Sequence, residues 1–137
     1  MKNRTSLVLM EQLVMVLVFA LAASVCLRAF ARADRIATEI SRQDRAVYLA
    51  QNGAETLKAC GGDFDETARL LGGTVQGDRL TVSYDENWNR TESAGAYRLE
   101  IEKTGTQTPG LGQAQVRVLG SGSEALFSLD LAWQEVD

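Results

Sequence analysis

The run from Leu7 to Leu27, LVLMEQLVMVLVFALAASVCL, is apolar enough and long enough to cross a membrane, and it contains one carboxylate, Glu11. At 1.5 Å rise per residue it makes a helix of about 31 Å, close to the hydrocarbon thickness of a bilayer. An ionisable group at the middle of such a helix costs roughly 2.5–3.5 kcal/mol on insertion scales, so it usually has a partner and a role. One turn into the run, Glu11 can also snorkel toward the interface, which lowers that cost.

The flanks narrow the choice. Met1-Lys2-Asn3-Arg4-Thr5-Ser6 is a short basic leader, and beyond Leu27 the chain continues as Arg28-Ala29-Phe30-Ala31-Arg32-Ala33-Asp34-Arg35 with no turn signal. A basic leader, an apolar run with Glu as its fifth residue, and a helical pattern that runs on past it resemble the type IV pilin-like proteins: pilins, minor pilins and the pseudopilins of type II secretion and DNA-uptake systems. Laying Ser6-Leu7-Val8-Leu9-Met10-Glu11 on the family pattern puts Glu11 at the Glu position and the processing site between Ser6 and Leu7. The resemblance is close as far as Phe30 and architectural beyond it. Two departures stand out. The family nearly always has Gly before the cut, where this chain has Ser6. Pro109 is the only proline, so the helix lacks the Pro that many major pilins carry in its apolar half, which favours a minor pilin or pseudopilin.

Three other readings compete for the same segment. A cleaved secretory signal would use Ala31-Arg32-Ala33 before Asp34 as its A-x-A site, but its apolar stretch would exceed the usual 7–15 residues and Glu11 would lie inside it. A plain signal anchor carries Glu11 incidentally. A lipoprotein signal ending at Cys26 is poorly matched by Ala23-Ser24-Val25.

Three segments follow: a cytoplasmic leader at 1–6, a transmembrane and assembly helix at 7–33, and an extracytoplasmic domain at 34–137, long enough for one modest core. Of the 14 Lys and Arg, four precede Asp34; of the 18 acids, only Glu11 does. The domain therefore carries about −7, which argues against binding a nucleic-acid backbone. Basic residues flank both ends of the apolar run, so the count of positive charges does not by itself orient it.

The two cysteines, Cys26 and Cys60, stand about 51 Å apart if the helix between them is continuous. A disulfide needs Cα atoms within about 7 Å, so both are expected as free thiols. With no histidine and no paired-cysteine spacing, there are no candidate transition-metal ligands and no imidazole base. No cofactor is expected.

Past Leu27 the apolar period stays helical. Ile36, Ile40, Val47, Ala50, Ala54 and Leu57 recur at intervals of three, four or seven, and this stripe is expected to pack on the domain's own sheet. Gly61-Gly62 should end the helix. A short second helix should follow, N-capped by Asp63 with Glu66 at capping-box spacing and closed by Gly72-Gly73. From Thr74 the period falls to two. Leu80/Val82/Tyr84, Tyr97/Leu99/Ile101, Ala114/Val116/Val118 and Phe127/Leu129/Leu131/Trp133 read as four half-buried strands. Their connections, Asp85–Gly95, Gly105–Gly112 and Gly120–Glu124, suit an antiparallel meander. The expected fold is α+β: a long N-terminal helix, half membrane-spanning and half amphipathic, packed on a four-stranded antiparallel sheet. The family resemblance implies the same architecture.

Enzymatic constellations are weak. Asp85-Glu86 beside Trp88 is the one adjacent acidic pair in a predicted loop; such pairs can divide acid and base roles or hold Ca²⁺, but neighbours in a turn are more often simply solvated. Trp88 more often caps a core edge than forms a binding surface. Gly120-Ser121-Gly122 reads as a tight turn, because no Lys and no helix start follow it. Asn89-Arg90-Thr91 is a formal glycosylation triplet of little weight.

The expectation is thus a non-enzymatic structural subunit. The resemblance implies insertion with the leader in the cytoplasm, processing between Ser6 and Leu7 by a prepilin peptidase, and N-methylation of Leu7. It further implies packing into a pilus, secretion or DNA-uptake filament beside other pilin or pseudopilin subunits and an inner-membrane assembly platform, with Glu11 near the freed amine of a neighbour's Leu7. The alternative is a single-pass membrane-anchored binding module that captures an extracellular ligand through the Asp85–Gly95 and Gly105–Gly112 loops. A membrane-anchored enzyme comes third.

Overall fold

The computed structural model describes residues 2–105 and 107–135. Met1 of the leader, Thr106 of the Gly105–Gly112 connection and the last two residues lie outside the described residues.

Helix α1 runs from Lys2 to Ala59, so the helical pattern on either side of Leu27 is one element. It stops at two glycines in the left-handed region, Gly61 at φ 65° and Gly62 at φ 86°. Gly62 N–H donates to the Leu57 carbonyl and Gly61 N–H to the Lys58 carbonyl, both at 3.0 Å. These are the paired bonds of a Schellman close, and they satisfy carbonyls that would otherwise be orphaned. Helix α2 (Phe64–Leu71) begins at once, with the Asp63 carboxylate accepting from the N–H groups of Asp65 at 3.0 Å and Glu66 at 3.3 Å. Glu66 does not close the expected capping box. Its carboxylate takes Arg69 Nε at 3.0 Å, one turn on, while Asp63 N–H donates to Cys60. A full guanidinium partner outcompetes a single amide for that carboxylate, and it holds the Glu66 carboxyl below its ordinary range.

Among the described residues six strands form one antiparallel sheet: β1 (Thr74–Gln76), β2 (Arg79–Tyr84), β3 (Arg90–Thr91), β4 (Tyr97–Thr104), β5 (Leu111–Leu119) and β6 (Ala125–Gln134). Their order is β1-β2-β4-β5-β6, with β3 also beside β2. The four expected strands are β2, β4, β5 and β6, joined as a meander. Four was an undercount. β1 pairs with β2 across Gly77-Asp78, and β3 sits inside the Asp85–Gly95 connection, pairing Ser83 with Thr91 and Tyr84 with Arg90. Strands of three and two residues are too short to display an alternation.

The chain divides into two compact units, one through Ser41 and one from Arg42. In the first unit every described side chain is exposed. In the second, the last turns of α1 lie on the sheet and bury Ala46, Leu49, Ala50, Ala54 and Leu57 against Leu80, Val82, Leu99, Ile101, Val116 and Val118. The expected stripe began too far upstream, since Ile36 and Ile40 are 52% and 53% exposed. Both lie in the first unit, and at 100° per residue Ile40 also stands about 100° round the helix from Leu57.

Two glycines set how closely these parts approach. A Cβ built at Gly53 would stand 3.2 Å from Leu99 Cδ2 and 3.5 Å from Ile101 Cδ1, so the residue that costs α1 about 1 kcal/mol of propensity lets it settle on β4. Gly112 lies opposite Trp133 in the β5–β6 register, and a methyl group there would overlap the indole. The indole also fills the space beside Gly62. One aromatic ring thus joins the end of α1 to the β5–β6 edge.

On the other face of the sheet, charges alternate across strands. Arg79 lies 3.3 Å from Glu102, Arg117 lies 3.1 Å from Glu102 and 3.3 Å from Glu100, and Arg98 Nε lies 2.8 Å from Glu100. The Glu100 side chain is 6% exposed. A carboxylate this enclosed is tolerated because two guanidinium groups face it.

The second unit has its own core, so a fragment spanning residues 34–137 should be soluble and unfold cooperatively, with Cys60, a free and half-buried thiol, fully alkylated after denaturation without reductant. An aggregated fragment, or a thiol that stays unlabelled, would contradict this.

Candidate functional site

Ser6, Leu7 and Glu11 all lie on α1 and are exposed. Helical spacing brings Leu7 and Glu11 to one side of the helix a turn apart, with Val8, Val14 and Met15 as the other neighbours of the carboxylate. Those neighbours are wholly apolar, and Leu7, Val14 and Met15 are 66%, 54% and 60% exposed. The apolar surface is not a stripe. Leu9, Met10, Leu13, Val16, Leu17, Val18, Phe19 and Leu21 are exposed on every side of the helix, and the segment is long and apolar enough to cross a membrane. A helix apolar all round is stable only when lipid or other helices cover it, and no described residue of this chain does so. Glu11 is the one group in that surface able to specify a neighbour through charge.

The loops are occupied with their own structure. The Asp85 carboxylate accepts from the N–H groups of Asn87 and Asn89, both at 2.9 Å, which closes the turn. Trp88 has φ 63° and stacks on Tyr97 with ring centroids 3.7 Å apart and planes 6° from parallel. It therefore caps the core edge, at a backbone geometry rare for a bulky residue. In the Gly120–Glu124 turn, Gly122 N–H donates to the Glu124 carboxylate at 3.0 Å, while Gly120 and Ser123 N–H donate to carbonyls of the turn. Among the described residues no group of three Cys, Asp or Glu side chains converges as a metal site.

Sequence reasoning missed Arg90. From β3 its guanidinium donates to the Leu71 carbonyl at 3.3 Å and lies against Gly72, supplementing the left-handed C-cap of α2 at φ 73°. It also sits close enough to Tyr84 to oppose, in part, the burial that raises that phenol's pKa. Arg90 borders a groove of about 480 Å³ with Arg69, Thr74, Thr81, Ser83 and Thr91. The only sequence signal was the glycosylation triplet, which concerns a different chemistry. Glu100 carries no local sequence signal either; its enclosure depends on the strand register that sets it between Thr81 and Arg117.

The site that the structure leaves without a partner is thus the apolar helix with its single carboxylate, and comparison with protein families, with curated proteins and with solved structures finds no match to this chain.

Proposed function

We propose that the chain is a non-enzymatic structural subunit, a minor pilin or pseudopilin of a type IV pilus, type II secretion or DNA-uptake filament. One observation carries the reading: an exposed helix, apolar on every side, holds one carboxylate five residues into its apolar run, directly after a short basic leader. The distal turns of α1 lying on an antiparallel sheet accord with the architecture that the resemblance implies. In this reading the precursor is a single-pass membrane protein with a short cytoplasmic N-terminus. A prepilin peptidase cuts between Ser6 and Leu7 and methylates Leu7. The processed helix then leaves the lipid, through the assembly platform, for a bundle of like helices in a surface or periplasmic filament. There Glu11 meets the Leu7 amine of a neighbouring subunit, and in a low-dielectric bundle one such ion pair selects a single register.

The test is the intact mass of membrane-extracted protein from its native host. A chain beginning at Leu7 with one added methyl group is expected. An unprocessed Met1 favours the single-pass anchor of a binding module, and a start at Asp34 favours a cleaved secretory signal.

A further inference from the structure

Just beyond the apolar run, α1 carries Arg28, Arg32 and Arg35 at spacings of four and three residues. At 100° per residue they fall within an arc of about 60° on one side of the helix. All three are exposed, and none forms an ion pair with any described residue. The nearest acid in sequence, Asp34, projects from a different side of the helix. Below the arginines the same side is lined by Leu17, Leu21 and Val25, against which the methylene stem of Arg28, the nearest of the three, can lie.

We propose that Arg28, Arg32 and Arg35 form a binding stripe for the phosphate headgroups of anionic phospholipids at the place where the apolar run leaves the bilayer. The inference rests on the membrane-crossing part of the proposed function and is independent of filament assembly.

Axial distance selects this occupant. With Leu27 at the hydrocarbon boundary, Arg28, Arg32 and Arg35 stand about 1.5, 7.5 and 12 Å beyond it. The headgroup layer on each side is about 5–7 Å thick, so the first two arginines lie within or at the rim of it and the third reaches back to it with its long side chain. Glu39, which follows on the same side, is about 18 Å beyond Leu27 and outside the layer. The charge on this side thus changes sign between about 12 and 18 Å, beyond the phosphate layer. Guanidinium suits the task, since its planar fork takes two phosphate oxygens at once and is weakly hydrated. The stripe also accounts for a basic flank at both ends of the run, which orientation signals alone do not require.

The test uses the full-length chain reconstituted into phosphatidylcholine vesicles, with the association of spin-labelled phosphatidylglycerol measured against that of spin-labelled phosphatidylcholine. The wild-type chain should favour phosphatidylglycerol, with a preference that weakens as salt rises. Each Arg→Gln change should lower the preference by up to about fivefold. The combined Arg28→Gln, Arg32→Gln, Arg35→Gln chain should lose most of it while floating with the vesicles like wild type. Lys2→Gln with Arg4→Gln serves as the control at the other end and should keep most of the preference. A triple variant with the wild-type lipid ratio overturns the proposal, and so does a preference that disappears with the Lys2 and Arg4 changes alone. A triple variant that keeps its lipid ratio but no longer self-associates in lipid-free detergent assigns the stripe to a protein neighbour, and overturns it too. Failure of the wild-type chain to float with vesicles removes the membrane reading beneath it, a result distinct from loss of lipid selectivity in a chain that still floats.

Discussion

Glu11→Ala should enter the membrane at least as well as the wild-type chain and yet fail to join assembled filaments. Removing the carboxylate takes away a charge that costs roughly 2.5–3.5 kcal/mol at mid-helix and less one turn in, so insertion does not suffer. In the proposed filament bundle the same change would leave a neighbour's Leu7 amine buried without a counter-charge, at about 3–5 kcal/mol. That corresponds to a fall in incorporation on the order of a hundredfold or more. Glu11→Gln should recover part of it, because the amide keeps the shape and one acceptor but not the charge. The measurement is co-purification or cross-linking of each variant with the assembled complex, beside a membrane-fraction control. Wild-type incorporation of Glu11→Ala would refute the role given to Glu11 and return the segment to a plain anchor.

Trp133→Ala should be among the most damaging changes in the unit that begins at Arg42. The indole is 7% exposed and packs over Gly112 on the neighbouring strand and beside Gly62 at the close of α1. Neither glycine has a side chain to move into the space, so a large cavity stays open where helix and sheet edge meet. Deleting a buried aromatic ring typically costs about 3–5 kcal/mol, a large part of what a domain of this size has in total. Urea unfolding of the 34–137 fragment should show the midpoint falling with little change in slope, with Trp88, stacked on Tyr97, as the fluorescent probe. Trp133→Phe should lie between, and Gly112→Val should approach the alanine variant because its branched side chain overlaps the indole. A loss below about 1 kcal/mol for Trp133→Ala would mean that the ring is not what joins the two elements.

Much of the fold was legible because it is local. Asp63 and the glycine pairs after each helix announce their caps, since only particular side chains can meet the orphaned backbone groups or adopt a positive φ. The strands β2, β4, β5 and β6 alternate over enough residues for a period of two to be visible. Where the reading failed, the deciding interaction was a contact that no hydropathy period or cap signal marks. β1 and β3 exist because β2 offers them an edge. Glu66 turned to Arg69 because both project from one side of a short helix. Trp88 was expected to cap a core edge, and it does so by stacking on Tyr97, a partner that the sequence did not name.

The sequence by itself determined that this protein has an apolar helix with one carboxylate, a helical continuation, and an α+β domain of net negative charge, because hydropathy, period and charge are properties of residues and their spacing. Only the tertiary structure decided where the helix stops being exposed and begins to pack at Ala46, that Trp133 joins helix to sheet, and that Glu100 is enclosed by Arg98 and Arg117. Those outcomes turn on which side of a helix meets which row of a sheet. Burial and ion pairing act across space between residues far apart in the chain, and no local pattern carries that distance.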